Sequence, residues 1–198
     1  MVQGWVVLEL TNSDGWVGLV AGLPAIPVIA LALFGGAIAD RVNRRVLQIW
    51  TFTLLASTGF VLGLLIETDS LQLWHLIAIS FPVGLLSALR MTAGAAMVVD
   101  VVGRDRIFGA NALNAALQNV GRFLGPAAGG WVLANHGAGI AFHGIGVLLL
   151  ASAGLMWFVR VENPIATDPK KTLFEDFKSG LRYISATPEL RWLAVLAV

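Results

Sequence analysis

Charged residues divide this chain into apolar stretches of similar length. None falls within 15–39, 46–66 or 70–89. A fourth stretch, 107–134, is interrupted only by Arg122, and a fifth covers 138–159. Each is close to the ~20 residues that cross a hydrocarbon core. Shorter apolar runs stand at the ends, Met1 to Leu10 and Trp192 to Val198. They read as the last part of a first helix and the beginning of a seventh. The pattern predicts an all-α, polytopic transmembrane helical bundle with five complete spans and two partial ones. On this reading the chain is a fragment truncated in its first and seventh helices.

The connections are short and polar: Thr11 to Asp14, Asp40 to Arg45, Glu67 to Asp69, Gly103 to Arg106, and Asn135 to Gly137. Alternate connections fall on opposite sides of the bundle. Arg41, Arg44, Arg45, Arg104, Arg106 and, after the last span, Arg160, Lys170 and Lys171 share one side. The other side carries Asp14, Glu67, Asp69 and His136, with no Lys or Arg. By the positive-inside rule the basic side is cytoplasmic, in a cell (plasma or inner) membrane.

Residues 162–187 differ. Asn163-Pro164 and Asp168-Pro169 break any helix. Leu173, Phe174, Phe177, Leu181 and Ile184 then recur at helical spacing, with Glu175, Asp176, Lys178 and Arg182 between them. This predicts an amphipathic helix on the cytoplasmic membrane face, or a solvated linker helix. Thr187-Pro188 suits the cap and first turn of another helix. The expected division is a transmembrane bundle at 1–161, a cytoplasmic linker at 162–187 and the start of a seventh helix at 188–198.

Composition agrees with the pattern. Of 198 residues, 57% are hydrophobic and 13% charged, where a soluble domain is usually closer to a quarter charged. Mean hydropathy is +0.79. The first residues lack the basic segment of a signal peptide. Without cysteine there are no disulfides or thiolate metal sites. His75, His136 and His143 are too widely spaced for a local metal motif. No phosphate-binding Gly-rich loop and no nucleophile-base set is present. The expectation is a protein that is not an enzyme, with no metal, no cofactor and no nucleic-acid partner.

Two motifs go further. The first is Gly36-Ala37-Ile38-Ala39-Asp40-Arg41-Val42-Asn43-Arg44-Arg45. A tight basic turn explains the arginines by topology alone. It leaves Asp40, a carboxylate at the C-terminal end of a helix, opposing the helix dipole. The second is Gly121-Arg122-Phe123-Leu124-Gly125-Pro126-Ala127-Ala128-Gly129-Gly130. Glycines at 121, 125 and 129 share a face suited to close helix approach, and Pro126 removes a hydrogen bond and is expected to kink the helix.

Both motifs resemble those of the major facilitator superfamily. Its signature loop, Gly-x-x-x-Asp-Arg-x-Gly-Arg-Arg, is matched by Gly36, Asp40, Arg41, Arg44 and Arg45. Asn43 replaces the last glycine, and asparagine also tolerates a left-handed backbone. The resemblance implies that this loop is a latch for the outward-facing state. It implies a partner for it at the end of the fourth helix, where Asp100 stands, and Asp100 is expected to pair with Arg41 or Arg45. The second motif is similar to the one carried by the superfamily's antiporters, which is associated with export, with Ala112 where the longer form has glycine. Together they imply the N-terminal six-helix half of a major facilitator fold. Asn111 to Pro126 resembles the bacterial drug and siderophore exporter branch, of macrolide-efflux and enterobactin-exporter type.

Asn111, Asn114, Gln118 and Arg122 form one stripe on the fifth helix. An arginine in a span costs ~3 kcal/mol on insertion scales unless it meets protein or water, so Arg122 is expected to point inward. The stripe is either a cavity wall or a set of interhelical hydrogen bonds. Arg90 is a further cavity candidate, or snorkels to the interface. No complete span has an acidic residue near its middle. His75 and His143 read as interfacial, and Trp5, Trp16, Trp74 and Trp131 as an aromatic belt. The expected function is proton-coupled efflux of a small drug- or siderophore-like molecule by alternating access, together with the missing C-terminal half. A lipid or lysophospholipid translocator and a non-transporting membrane scaffold remain alternatives.

Overall fold

A computed structural model describes residues 2–32 and 42–159, apart from the side chain of Arg104. Gly36, Asp40 and Arg41 lie outside the described residues, as do the linker at 162–187 and the helix start at 188–198. The described residues are helical, with no strand among them. The helices are α1 (Val2–Thr11), α2 (Asp14–Gly22), α3 (Ala25–Ala32), α4 (Arg44–Glu67), α5 (Leu73–Val102) and α6 (Ile107–Met156). One 3-10 turn, Arg104–Arg106, joins α5 to α6.

The stretch expected as one span from residue 15 is two short helices along one path. Pro24 has no N–H to continue the ladder, so the chain turns at Leu23-Pro24. Leu23 keeps helical dihedrals of −52° and −41°, and α2 with α3 is long and apolar enough to cross a membrane together, over Asp14–Leu31. Conversely, the 50 residues of α6 hold two spans. Gly137 has φ 83° and ψ 172°, outside any helix, and separates a first arm, 107–136, from a second, 138–156. A left-handed φ there favours glycine. Around Pro126 the dihedrals stay helical, and the break falls in the predicted Asn135 to Gly137 connection. Helix α5 likewise runs through Pro82 without interruption.

The start of α4 corrects another expectation. Asn43 has φ −58° and ψ 108°, not a left-handed conformation. It is the N-cap of α4, and its Oδ1 accepts a hydrogen bond from the Val46 amide at 3.2 Å. Asparagine therefore does capping work that a glycine cannot do through a side chain. At the start of α5, Gln72 and His75 form a reciprocal capping box.

Packing centres on α1. Val2, Val6 and Val7 join Val20, Leu62, Leu76, Ala141 and Phe142 in one buried cluster, drawn from α1, α2, α4, α5 and the second arm of α6. Gln3 of α1 donates to Ser80 Oγ of α5 at 3.2 Å, beside this core. Helix α4 runs antiparallel to the second arm: Gly59 lies against Phe142 and Gly146, and Gly63 against His143. Gly84 of α5 receives Pro24 and Pro27. One end of the bundle thus carries Arg44, Arg45, Asp100 and Arg106, and the opposite end Glu9, Glu67, Asp69 and His136. The alternation read from the connections is the topology observed. Large apolar side chains cover the outside, including Phe108, Phe123 and Phe158, each at least 80% exposed. Such a surface suits lipid or another protein face rather than water.

Candidate functional site

At the basic end, α4 and α5 meet through charge. Arg44 Nη1 donates to Asp100 Oδ2 at 2.7 Å, with the two side chains 21% and 10% exposed. Of the two expected partners of Asp100, Arg45 is engaged elsewhere and Arg41 lies outside the described residues. The helical register explains why Arg44 rather than Arg45 meets Asp100. Arg44 is the first residue of α4 and faces α5, whereas Arg45 is turned 100° further round the helix, toward α6. Arg45 Nε donates to the Met156 carbonyl at 3.1 Å, Nη2 donates to the Trp157 carbonyl, and the guanidinium lies 5.7 Å from the Trp157 ring centroid. It therefore caps the C-terminal end of α6, where a cation complements the helix dipole. Two adjacent arginines tie α4 to two different helices.

One turn further along α4, Gln48 is buried and its Nε2 donates to the Arg90 carbonyl of α5 at 2.9 Å. Gly94 makes room for this amide, since a Cβ there would stand 2.9 Å from Gln48 Nε2. The Arg90 guanidinium sits 5.6 Å from the Phe52 ring centroid. It is held in the α4–α5 seam, partly buried. Gln48 Oε1 and Arg90 Nε are both buried without a hydrogen-bond partner among the described residues. Gln48 was not singled out from sequence; a lone amide in an apolar run was the available signal.

The polar stripe behaves differently. Asn111, Asn114, Gln118 and Arg122 are all exposed on the first arm of α6. Arg122 does not point into the described bundle, so the protein or water it is expected to face lies beyond the described residues. The described helices cover too little of the first arm to enclose it. The glycine motif is similarly open. A Cβ at Gly121, Gly125 or Gly130 would meet nothing within 4 Å, and one at Gly129 would meet only Val2 Cγ2, at 3.9 Å. Within the described residues the close glycine contacts lie elsewhere: at Gly59, Gly63, Gly139 and Gly146 between α4 and the second arm, at Gly84 against Pro24 and Pro27, and at Gly94 against Gln48. Gly59-x-x-x-Gly63 carried a sequence signal for this seam that the longer motif overshadowed.

At the opposite end, a cavity of about 220 Å³ is lined by Val6, Glu9, Leu10, Ile66, Asp69, Leu71 and Ala138. It brings Glu9 and Asp69 to one concavity. A second cavity of about 300 Å³ lies among α1, α2 and the first arm, with Trp5, Leu8, Asp14, Val17 and Leu133 in its walls.

Comparison with known proteins adds identity to this geometry. No solved structure matches the chain. Among curated proteins it is 26% identical over 200 residues to the multidrug efflux pump Tap of Mycolicibacterium fortuitum, covering 97% of this chain and 49% of Tap. It is 27% identical over 194 residues to the enterobactin exporter EntS of Shigella flexneri, covering 95% of this chain and 46% of that protein. The chain spans about half the length of these relatives. The family described as "Transmembrane secretion effector" matches residues 1–198. Four helical segments long and apolar enough to cross a membrane, one of them doubled, fit a multi-pass membrane protein, and the chain belongs to the transmembrane secretion effector family of the major facilitator superfamily.

Proposed function

We propose that this chain is the N-terminal half-bundle of a secondary active exporter that moves a small drug- or siderophore-like molecule outward in exchange for protons. The carrying observation is the stripe Asn111, Asn114, Gln118 and Arg122, a row of polar groups left exposed on an otherwise apolar helix. In a bilayer such a row requires water or protein against it. A second half-bundle facing the first arm supplies both, with a wet cavity between the halves and a substrate site near the membrane midplane. The kinship with Tap and EntS supports export as the direction. In this reading residues 1–161 are the bundle, 162–187 a cytoplasmic linker and 188–198 the start of the other half. The basic end faces the cytoplasm across the inner membrane. The Arg44–Asp100 pair belongs to a latch shared with Gly36, Asp40 and Arg41, and the function needs no catalytic residue or cofactor.

Uptake into inverted membrane vesicles containing the full-length protein tests this reading. Collapse of the proton gradient at constant ATP is expected to abolish accumulation of the exported compound. Accumulation that continues would overturn proton exchange. Scrambling of a fluorescent lysophospholipid under the same conditions would point instead to a lipid translocator. Arg122→Ala is expected to raise KM or lower the turnover of export about tenfold or more, while leaving membrane insertion intact. Wild-type kinetics in that variant would assign the stripe to packing alone.

A further inference from the structure

The seam between α4 and the second arm of α6 holds an acid and a base that the exporter reading does not use. His143 Nε2 lies 3.2 Å from Glu67 Oε1, with the side chains 31% and 47% exposed. The pair occupies notches cut by glycine on both helices. A Cβ at Gly63 would stand 2.5 Å from the His143 ring, and one at Gly139 would stand 2.9 Å from Glu67 Cγ. Phe60 stacks on the imidazole at a centroid distance of 5.8 Å and itself fills the notch at Gly146, where a Cβ would meet its ring at 2.9 Å. Three side chains thus interlock with three glycines around one titratable couple.

The two ring nitrogens have different surroundings. Nε2 faces the carboxylate, while Nδ1 is buried with no hydrogen-bond partner among the described residues. A neutral ring protonated on Nε2 satisfies this arrangement, because it donates to Glu67 and leaves Nδ1 as a bare lone pair. A second proton must go on Nδ1, where the packed ring offers it no acceptor. Glu67, the last residue of α4, is an anion at a helix C-terminus, where the dipole opposes it. A cationic imidazole relieves that opposition. An imidazole changes charge near neutral pH, unlike other side chains in their ordinary state.

We propose that Glu67 and His143 form a proton-binding site open to the acidic end of the bundle. This deepens the proton-exchange reading above, on which only its link to export rests. The other titratable groups at this end are Glu9 of α1, Asp14 at the start of α2, Asp69 in the α4–α5 turn, His75 at the start of α5 and His136 at the end of the first arm. Glu9 and Asp69 share the 220 Å³ cavity with Ala138, five residues before His143. They add negative potential at the end from which the proton comes.

The test is histidine-selective NMR of the full-length protein in nanodiscs, assigned by loss of one resonance in His143→Gln. Glu67→Gln keeps the shape of the side chain and is expected to lower the proton affinity of His143 several-fold, since the partial exposure of both side chains screens the lost charge. An unchanged affinity, or a His143 that never titrates between roughly pH 4 and 9, overturns the site. In proteoliposomes the same variant is expected to shift the external pH of half-maximal export downward and to keep the maximal rate at acid pH. A shifted NMR titration with an unshifted transport profile overturns the link to export. Absence of proton-driven export in the wild type sinks the exporter reading, and the NMR result alone then decides the site. Gly63→Ala, which crowds the ring without removing a charge, is expected to alter the His143 signals and leave those of His75 and His136 in place.

Discussion

Arg44→Ala in the full-length protein is expected to lower stability by about 1–3 kcal/mol, between the values for an exposed and a fully buried ion pair. Much of the loss comes from Asp100. Its side chain is 10% exposed, and the substitution removes the 2.7 Å partner of its Oδ2. A carboxylate left in that position keeps part of its desolvation cost without this cation. The intermediate range applies because neither side chain is fully buried, Arg44 retaining 21% exposure. Thermal unfolding in detergent provides the measurement, with Asp100→Asn, alone and combined with Arg44→Ala, as the partner experiments. The double variant is expected to recover part of the loss, because asparagine removes the partly buried charge. If the losses of the two single variants simply add, the pair is not coupled and the α4–α5 clamp is not where the cost lies. Arg45→Ala is the contrasting case. Its contacts are with the carbonyls and ring at the end of α6, and a cation at a helix C-terminus contributes only about 0.3–1 kcal/mol.

Gly84→Val is expected to destabilise the bundle by about 1–3 kcal/mol, the usual cost of overpacking a tight contact. A Cβ at Gly84 would overlap the carbonyl oxygen of Pro24 and stand 2.7 Å from both Pro24 Cα and Pro27 Cγ. Two of those atoms are backbone and the third belongs to a closed ring, so none can rotate away. Relief requires α3 to move off α5. Gly125→Val serves as the control, since a Cβ there meets nothing within 4 Å. It is expected to leave unfolding of this half-bundle unchanged within a few tenths of a kcal/mol, since valine has if anything a slightly higher helix propensity than glycine. Equal destabilisation by the two variants would mean that the close crossing at Gly84 is not what holds α3 to α5.

The contrast between Gly84 and Gly125 shows what could be read in advance. Glycine spacing announces that a close approach is possible, but it does not say which partner arrives. The motif at Gly121, Gly125 and Gly129 stood out because it had length and a proline, yet the crowded glycines are Gly63, Gly84, Gly139 and Gly146. Asn43 is a similar case. Its tolerance of a left-handed backbone is a property of the residue, whereas its use as an N-cap depends on where α4 begins.

The spans, their alternation and the segregation of basic and acidic ends were all determined by sequence alone. A bilayer imposes a minimum length of apolar chain and a penalty on charge, and both are one-dimensional constraints. Kinship was legible for the same reason, since Gly36 to Arg45 and Gly121 to Gly130 are contiguous in the chain. Only the tertiary structure decided that Asp100 meets Arg44, that Arg45 caps α6, that Gln48 holds the Arg90 backbone and that Glu67 faces His143. These contacts join residues 42 to 112 positions apart. They depend on the rotation of one helix against another, and a turn of 100° per residue hands neighbouring side chains to different partners.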